Sequence, residues 1–321
     1  MMTGDRSSVC VFSPSLYLTV TVESGHDDNG TPEIHFHPGG QGFWVARMLD
    51  HLGEPPVLVA PVGGESGDVL SGLARTWGIR LDGVRTGKDS PAYIHDRREG
   101  ERREIARTPP PALDRHEIDD FYGRVLEQAT SAGMCVITGR AEGDSLPLDF
   151  YERLGADLAA VGARTVGDLH GEELQAFLAG GGLHILKVSD EDLMADGILP
   201  EGAEEGQRLA AIADLRARGV ERMVISSSSG PAVAHFGADA FRAESPQLQA
   251  ADHRGSGDAM TAALTVAAVR GYDAGRTLRM ACAAGAANVT RHGLGNVHRE
   301  LIESLSESVA LDRLGQEEAQ T

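Results

Sequence analysis

Residues 251–260 read ADHRGSGDAM, and an apolar run, TAALTVAAV, follows at once. The small residues of Gly255-Ser256-Gly257-Asp258 let successive backbone N–H groups converge, and the helix behind them offers further unpaired donors in its first turn. Helix starts of this kind bind phosphate groups, and the macrodipole adds to the attraction. The aspartate at that position has two candidate roles. It caps the helix, a contribution of about 1 kcal/mol, or it takes the proton of a hydroxyl nucleophile held beside a bound phosphate. Four residues alone leave both readings open.

Other candidate groups are scattered. Trp44 stands on an apolar helical stretch, where core packing and a ligand platform are equally good readings. His35 and His37 alternate in HFH, which puts both on one face of a strand, as a metal pair or as exposed histidines. Ser226 to Ser229 form a polar run, and DRREGERRE reads as a solvated hairpin with mutual ion pairs.

The elements that must position these groups follow an α/β rhythm. SVCVFSPSLYLTVTVE, residues 8–23, reads as a strand broken at Pro14. QGFWVARMLDHLG repeats apolar residues at helical spacing and stops at Gly53, PPVLVAPVGG is a buried strand, and GDVLSGLARTWG a second helix. Such units predict a doubly wound, mainly parallel sheet flanked by helices. AYIHDR and ERREIA, in residues 83–106, flank Glu99-Gly100 as a hairpin too polar for a core: a decorated surface hairpin, or a lid or dimer-forming sheet. The rhythm resumes at 115 and ends in a helix from 300 that frays into a flexible tail over 308–321.

Composition excludes several function classes. With 29 basic against 48 acidic residues the net charge is −19, a field that repels nucleic acid and anionic membranes. The same field repels nucleotide phosphates, so a phosphate site must rely on local donors and a metal ion. Cys10, Cys135 and Cys282 sit singly in apolar runs, as buried thiols in a reducing cytoplasm would. No signal peptide or membrane-length apolar run is present, which predicts a soluble cytoplasmic protein.

Taken together, Asp252–Asp258 with AMTAALTVAAVRG, MACAAGAANVTRHGLG, Pro38-Gly39-Gly40-Gln41-Gly42 before VARMLDHLG, PVGGESGD, TVGDLHGEEL, LHILKVSDEDL and MVISSSSGPAVA resemble, in order, the motifs of the PfkB-type (ribokinase-like) carbohydrate kinases. The branch it resembles most nearly holds 1-phosphofructokinase and tagatose-6-phosphate kinase, and the similarity runs from residue 8 to about 300. It implies one ribokinase-like domain over 1–321 with a small β lid from about 12–37 and 84–106, and a homodimer paired through that lid. It implies ATP-dependent transfer of the γ-phosphoryl group to a hydroxyl of a sugar, sugar phosphate or related small molecule, with Mg²⁺ bridging the ATP phosphates. Asp258 becomes the base and the N–H groups of Gly255, Ser256 and Gly257 the anion hole. Lys187, Ser226, Ser228, Gly230, Gly285 and Asn288 would hold the nucleotide. Tyr17, Gly39, Gly40, Gln41, Trp44 and Asp168 would face the acceptor, and Asp192 would organise the metal indirectly.

The acceptor side departs from that pattern. Ser13-Pro14-Ser15-Leu16-Tyr17 has a phenol where the branch has an aspartate, and Gln41 to Trp44 lack its sugar-binding asparagine. Asp89 or a neighbour stands for an arginine facing the sugar phosphate, Thr138 to Gly143 replace Ser-Gly-Ser-Leu-Pro-Pro-Gly, and Ser189 and Asp192 stand in the Asn-x-x-Glu positions. An aspartate cannot neutralise a sugar phosphate, and tryptophan cannot donate as asparagine does. These exchanges predict an acceptor other than fructose 6-phosphate, fructose 1-phosphate or tagatose 6-phosphate. One reading is a flatter, more apolar acceptor stacked on Tyr17 and Trp44. The alternative is a catalytically weak or inactive member that binds a nucleotide or metabolite and acts as a regulator. A hydrolase or reductase on the same fold lacks its signature, since no Gly-x-Ser-x-Gly elbow and no Gly-x-Gly-x-x-Gly opens the relevant helices.

Overall fold

Proline at position 14 splits the first apolar run because its ring cannot donate to a sheet ladder, and the two halves enter different sheets. The computed structural model describes residues 7–25, 31–100, 102–140, 146–246, 255–288 and 298–315. The chain begins with β1 (Cys10–Phe12), β2 (Tyr17–Ser24), β3 (Pro32–Gly39), α1 (Gln41–His51), β4 (Val57–Gly63), α2 (Gly64–Thr76), β5 (Arg80–Thr86), β6 (Ala92–Asp96) and β7 (Arg103–Arg107). It continues with α3 (Arg115–Ala132), β8 (Met134–Thr138), α4 (Leu148–Ala160), β9 (Arg164–Asp168), α5 (Gly171–Gly180), β10 (Leu183–Ser189), α6 (Asp190–Ala195), α7 (Glu205–Ala217) and β11 (Val220–Ser226). β12 (Ala232–Phe236), β13 (Asp239–Glu244), α8 (Ser256–Arg270), α9 (Ala274–Asn288), α10 (Arg299–Ser306) and β14 (Ala310–Leu314) complete it.

The large sheet has the order β14-β13-β12-β11-β10-β9-β8-β1-β4-β5, parallel from β11 to β5 and antiparallel at the β12 to β14 end. From β1 the chain adds β4 and β5 on one side, then crosses back to lay down β8 to β11 on the other. The crevice outside the carboxyl ends of such strands, beside the reversal at β1 and β8, is where open α/β sheets bind ligands. Cys10 and Cys135 are register neighbours across that reversal, and all three cysteines are free and buried.

Apolar side chains fill both faces. Helices α1, α2, α8 and α9 pack one face, and α3, α4, α5 and α7 the other. α8 is buried all round from Ala259 to Ala268, as a helix inside a core rather than on its surface must be. Among the described residues no helix is long and apolar enough to cross a membrane.

The second sheet, ordered β3-β2-β6-β7, is the expected lid. Tyr17, Thr19 and Thr21 of β2 point inward and are buried, with His37 and His35 opposite Thr19 and Thr21. Val20 and Val22 pair with Phe36 and Ile34 on the outer face. One expectation is corrected at the carboxyl end: Ala310–Leu314 is not a flexible tail but the edge strand β14, hydrogen-bonded along β13. An unpartnered β13 edge would leave a row of backbone groups open, and β14 fills it. Residues 316–321, the motif residues Asp252 to Arg254, 289–295 and 141–143 lie outside the described residues.

Phe12, on β1 between β8 and β4, has ring centroids 5.3 Å from Phe121 and 5.7 Å from Phe150. Phe12→Ala is expected to cost about 3–5 kcal/mol. A urea titration reads this as a lower midpoint at unchanged slope; a loss below about 1 kcal/mol would remove this cluster as the organising core.

Candidate active site

α8 begins at Gly255, whose φ of 71° is the left-handed conformation that glycine adopts without strain. No side chain caps this helix. Asp258 lies inside the first turn and the cap reading fails. The first helical bond runs from Ala259 N–H to the Gly255 carbonyl at 2.9 Å. The N–H groups of Gly255, Ser256, Gly257 and Asp258 therefore have no acceptor within the helix and face the crevice as donors.

Behind this loop sits a buried charge cluster. Lys187, on β10, places its Nζ 3.3 Å from Asp168 Oδ1 at the end of β9, with both side chains 7% exposed. Thr261, in the apolar α8, donates to Asp168 Oδ2 at 2.7 Å. Burial opposes a charge on Lys187, yet the carboxylates of Asp168, Asp258 and Asp192 hold its pKa above the ordinary value. Asp258 moves to about 7: burial raises it, Asp168 raises it further, and Lys187 only partly offsets them. A carboxyl poised near neutrality is suited to accept a proton. Gly257 is required here, because a Cβ on it would stand 2.4 Å from Lys187 Nζ.

These groups line a cleft of about 310 Å³ with polar walls. Asp258, Gly255 and Gly257 of the α8 start meet Asp168, Lys187, Asp192 and Gln41, all of them anticipated from sequence. The Gln41 amide reaches the Asp168 carbonyl at 3.4 Å. Gly139, Arg140 and His170 also line the cleft and had no role assigned from sequence. Their signal was position: Gly139 and Arg140 follow β8, and His170 follows β9, at the strand ends where ligands gather. Arg140 is held by Glu173 at 2.7 Å and donates to the Leu146 carbonyl at 3.0 Å. His170 Nδ1 lies 3.2 Å from Asp196 Oδ1, and its Nε2 lies 3.9 Å from Asp192 Oδ1. Burial works against protonation of that ring, but Asp196 and Asp192 outweigh it and raise its pKa.

On the acceptor side, Gly40 carries φ 103° at the start of α1, and a Cβ there would lie 2.8 Å from the Ser15 carbonyl. Gly39 packs as closely on the Thr19 hydroxyl, which is buried and has no hydrogen-bond partner among the described residues. Tyr17 meets Tyr93 edge-on beneath the lid at 5.7 Å rather than lining the cleft. Trp44 lies away from it too, packed edge-on against Phe43 and within 6.2 Å of Trp77. Core packing is the role the structure gives that ring. Asp89 lies against Gly64, so close that a Cβ on Gly64 would overlap its carboxylate.

The expected nucleotide residues divide. Lys187 is in the cleft, and Gly285 of α9 packs on the Ser256 hydroxyl, 3.3 Å from where a Cβ would stand. Asn288 is buried at the end of α9. Ser226 ends β11 and donates to the Val188 carbonyl at 3.4 Å, while Ser228 pairs with Glu191 and Gly230 lies in the turn to β12. Those three lie outside the lining of the cleft.

A model of the pfkB family carbohydrate kinases matches residues 6–300. The chain is 28% identical over 316 residues to the ATP-dependent 6-phosphofructokinase isozyme 2 of Mycobacterium tuberculosis, covering 95% of this chain and 90% of that protein. Phosphofructokinase-2 from Escherichia coli has the same fold, solved in complex with fructose-6-phosphate (TM-score 0.79) and as a tetrameric inhibited form (TM-score 0.82). Each is 22% identical, with 94% of this chain and 98% of that chain covered.

Asp258 holds its proton more tightly in the folded chain, at about 7, than at the ordinary value of 3.8. That contribution to stability is full below about pH 4 and is lost as the pH rises through 7. Asp258→Asn is therefore expected to melt higher than the parent at pH 8, by a margin that shrinks as the pH falls toward 4. Calorimetry across that range checks it, and a pH-independent margin would remove the buried-carboxylate assignment.

Proposed function

The chain belongs to the pfkB family of carbohydrate kinases, and we propose that Asp258 serves as its catalytic base and that its acceptor is a sugar carrying no phosphate of its own. The observation that carries this reading is a carboxyl with pKa about 7 in a polar cleft, flanked by the unpaired donors of an uncapped helix start. ATP-dependent phosphoryl transfer asks chiefly for positioning and charge stabilisation. Asp258 takes the proton of the acceptor hydroxyl as it attacks the γ-phosphorus. The N–H groups of Gly255, Ser256 and Gly257 receive the negative charge of the transferred group, and the Lys187 ammonium stands beside it. Asp168 keeps Lys187 charged and oriented.

The acceptor assignment rests on how the cations are used. Lys187 is committed to Asp168 and Arg140 to Glu173. Asp89 places a carboxylate at the start of α2, the kind of helix end that would otherwise suit an anion. A flat apolar acceptor loses its support because Trp44 is packed into the aromatic cluster and the cleft walls are polar. Hydroxyl-rich sugars match such walls, and the retained base and cation support activity rather than a regulatory relic.

Asp192 in this polar cleft suits an indirect role toward a Mg²⁺ that keeps most of its water shell, held through water rather than by a cluster of carboxylates. Asp192 is oriented for this, since its Oδ2 accepts from Ser189 Oγ at 2.6 Å and its Oδ1 faces the cleft near His170. Bound there, the ion would neutralise charge on the ATP phosphates. Buried free thiols fit a reducing cytoplasm.

The lid supports a homodimer. Its outer face exposes Ile34 (60%), Phe36 (52%) and Ile94 (36%), an apolar patch that a second copy of the same sheet would cover.

Assaying ADP release with free sugars and sugar phosphates separates the parts of this proposal. At least one free sugar is expected to exceed every sugar phosphate in kcat/KM, and Asp258→Asn is expected to lower kcat by roughly 10²–10⁴-fold. Better turnover of a sugar phosphate would overturn the acceptor class alone. ATP binding with no turnover above the Asp258→Asn background would overturn the kinase assignment. The kcat/KM profile of the free enzyme should fall on the acid side with a midpoint near the Asp258 value of about 7. Phe36→Glu should convert a dimer to a monomer in sedimentation, and an unchanged sedimentation coefficient would sink the lid interface.

A further inference from the structure

A second cavity, of about 580 Å³, opens between the carboxyl end of α8, the first turns of α9, and α10. It begins near Arg270, about 18 Å from Asp258 along α8 at ~1.5 Å per residue. Arg270, Arg276, Arg279 and Arg299 converge on it from three helices. The lining also carries Asp273, Glu303 and Glu307, so what marks the cavity is the placement of its arginines rather than a net positive charge.

Two of the four are neutralised where they stand. Arg270 pairs with Glu54 at 2.9 Å, and Arg299 pairs with Glu303 at 2.7 Å. The other two form no ion pair among the described residues. Arg276 lies flat on the Tyr272 ring, 3.6 Å from its centroid, which fixes the guanidinium plane and leaves its N–H edge available. Arg279 donates to the Val309 carbonyl and keeps its remaining donors. Asp273 also lines the cavity, its Oδ1 accepting the backbone N–H of Arg276 at 2.9 Å, and it forms no ion pair with either guanidinium among the described residues. Glu307 is exposed at the rim. The remaining wall is apolar, with Met280, Ile302 and Leu311.

We propose that this cavity is a binding site for an organic phosphate monoester, its phosphate on Arg276 and Arg279 and its carbon body against the apolar wall. Paired guanidinium forks suit the dianionic phosphate in shape and charge, and the volume suits a ligand of sugar-phosphate to nucleotide size. The site shares no lining residue with the catalytic cleft and does not depend on the kinase reading.

Calorimetric titration of a panel of sugar and nucleoside monophosphates, with inorganic phosphate as a further arm, tests it. At least one panel member should bind one-to-one at millimolar concentration or below. Its affinity should fall at least roughly tenfold, about 1.4 kcal/mol, in Arg276→Gln and in Arg279→Gln, and hold in Lys187→Met. Arg276 is exposed and unpaired, so its variant tests the site even if the Arg279 variant does not fold. Inorganic phosphate should bind at least roughly tenfold more weakly than the best organic ligand. The assignment is overturned by a panel without a binder, by binding unaffected in Arg276→Gln, or by binding lost in Lys187→Met alone. Equal affinity for inorganic phosphate would overturn the organic ligand.

Discussion

The buried pair of Lys187 and Asp168 is the constraint from which the catalytic cleft is built. It ties the end of β9 to β10, and Thr261 extends the tie to α8. Taking two charges out of water is costly, and removing one partner of such a pair typically costs about 3–5 kcal/mol because the other is stranded. Each contact around the pair therefore has an electrostatic reason. Thr261 is a polar residue in an otherwise apolar helix because Asp168 needs a second donor. Gly257 lacks a side chain because Lys187 Nζ occupies that space. Asp258 carries a raised pKa because it is buried and because the Asp168 carboxylate adds to that effect.

The position of α8 follows from the same economy of buried charge. A helix apolar on every side can only lie inside the core, so its amino end is delivered to one point with little freedom. That point is the reversal beside β1 and β8, where the carboxyl ends of β8, β9 and β10 supply Arg140, Asp168 and Lys187. The unpaired donors of the helix and the charges of the strands meet because the sheet order forces them together. The geometry of the cleft is a consequence of topology more than of any loop.

Much of this was legible in the residues. Periodicity and glycine punctuation place the helices and parallel strands, and Pro14 marks the change of sheet. Gly255 to Asp258 show a donor-rich helix start in their own spacing but leave the aspartate open between cap and base. What stayed hidden depends on contacts between distant segments. Trp44 has the same local sequence whether it faces a ligand or packs on Phe43, and only Trp77, brought in from the end of α2, decides between them. His170 reads as an ordinary helix start until Asp196, from the end of α6, is seen against its ring. Ala310–Leu314 looks like tail because a polar edge strand has no strong pattern of its own, and β13 supplies the partner.

An acidic protein that handles phosphates has to spend its cations sparingly. Among the described residues of the cleft, Lys187 is engaged with Asp168 and Arg140 with Glu173, which leaves neither side chain free for a phosphate. Helix-terminal N–H groups supply partial positive charge there without adding a side chain that the carboxylates would neutralise. Arg276 and Arg279 show a different arrangement at the far end of α8: carboxylates stand near them, yet neither guanidinium forms an ion pair among the described residues. A bound phosphate would supply the bidentate partner that the fold itself does not give them.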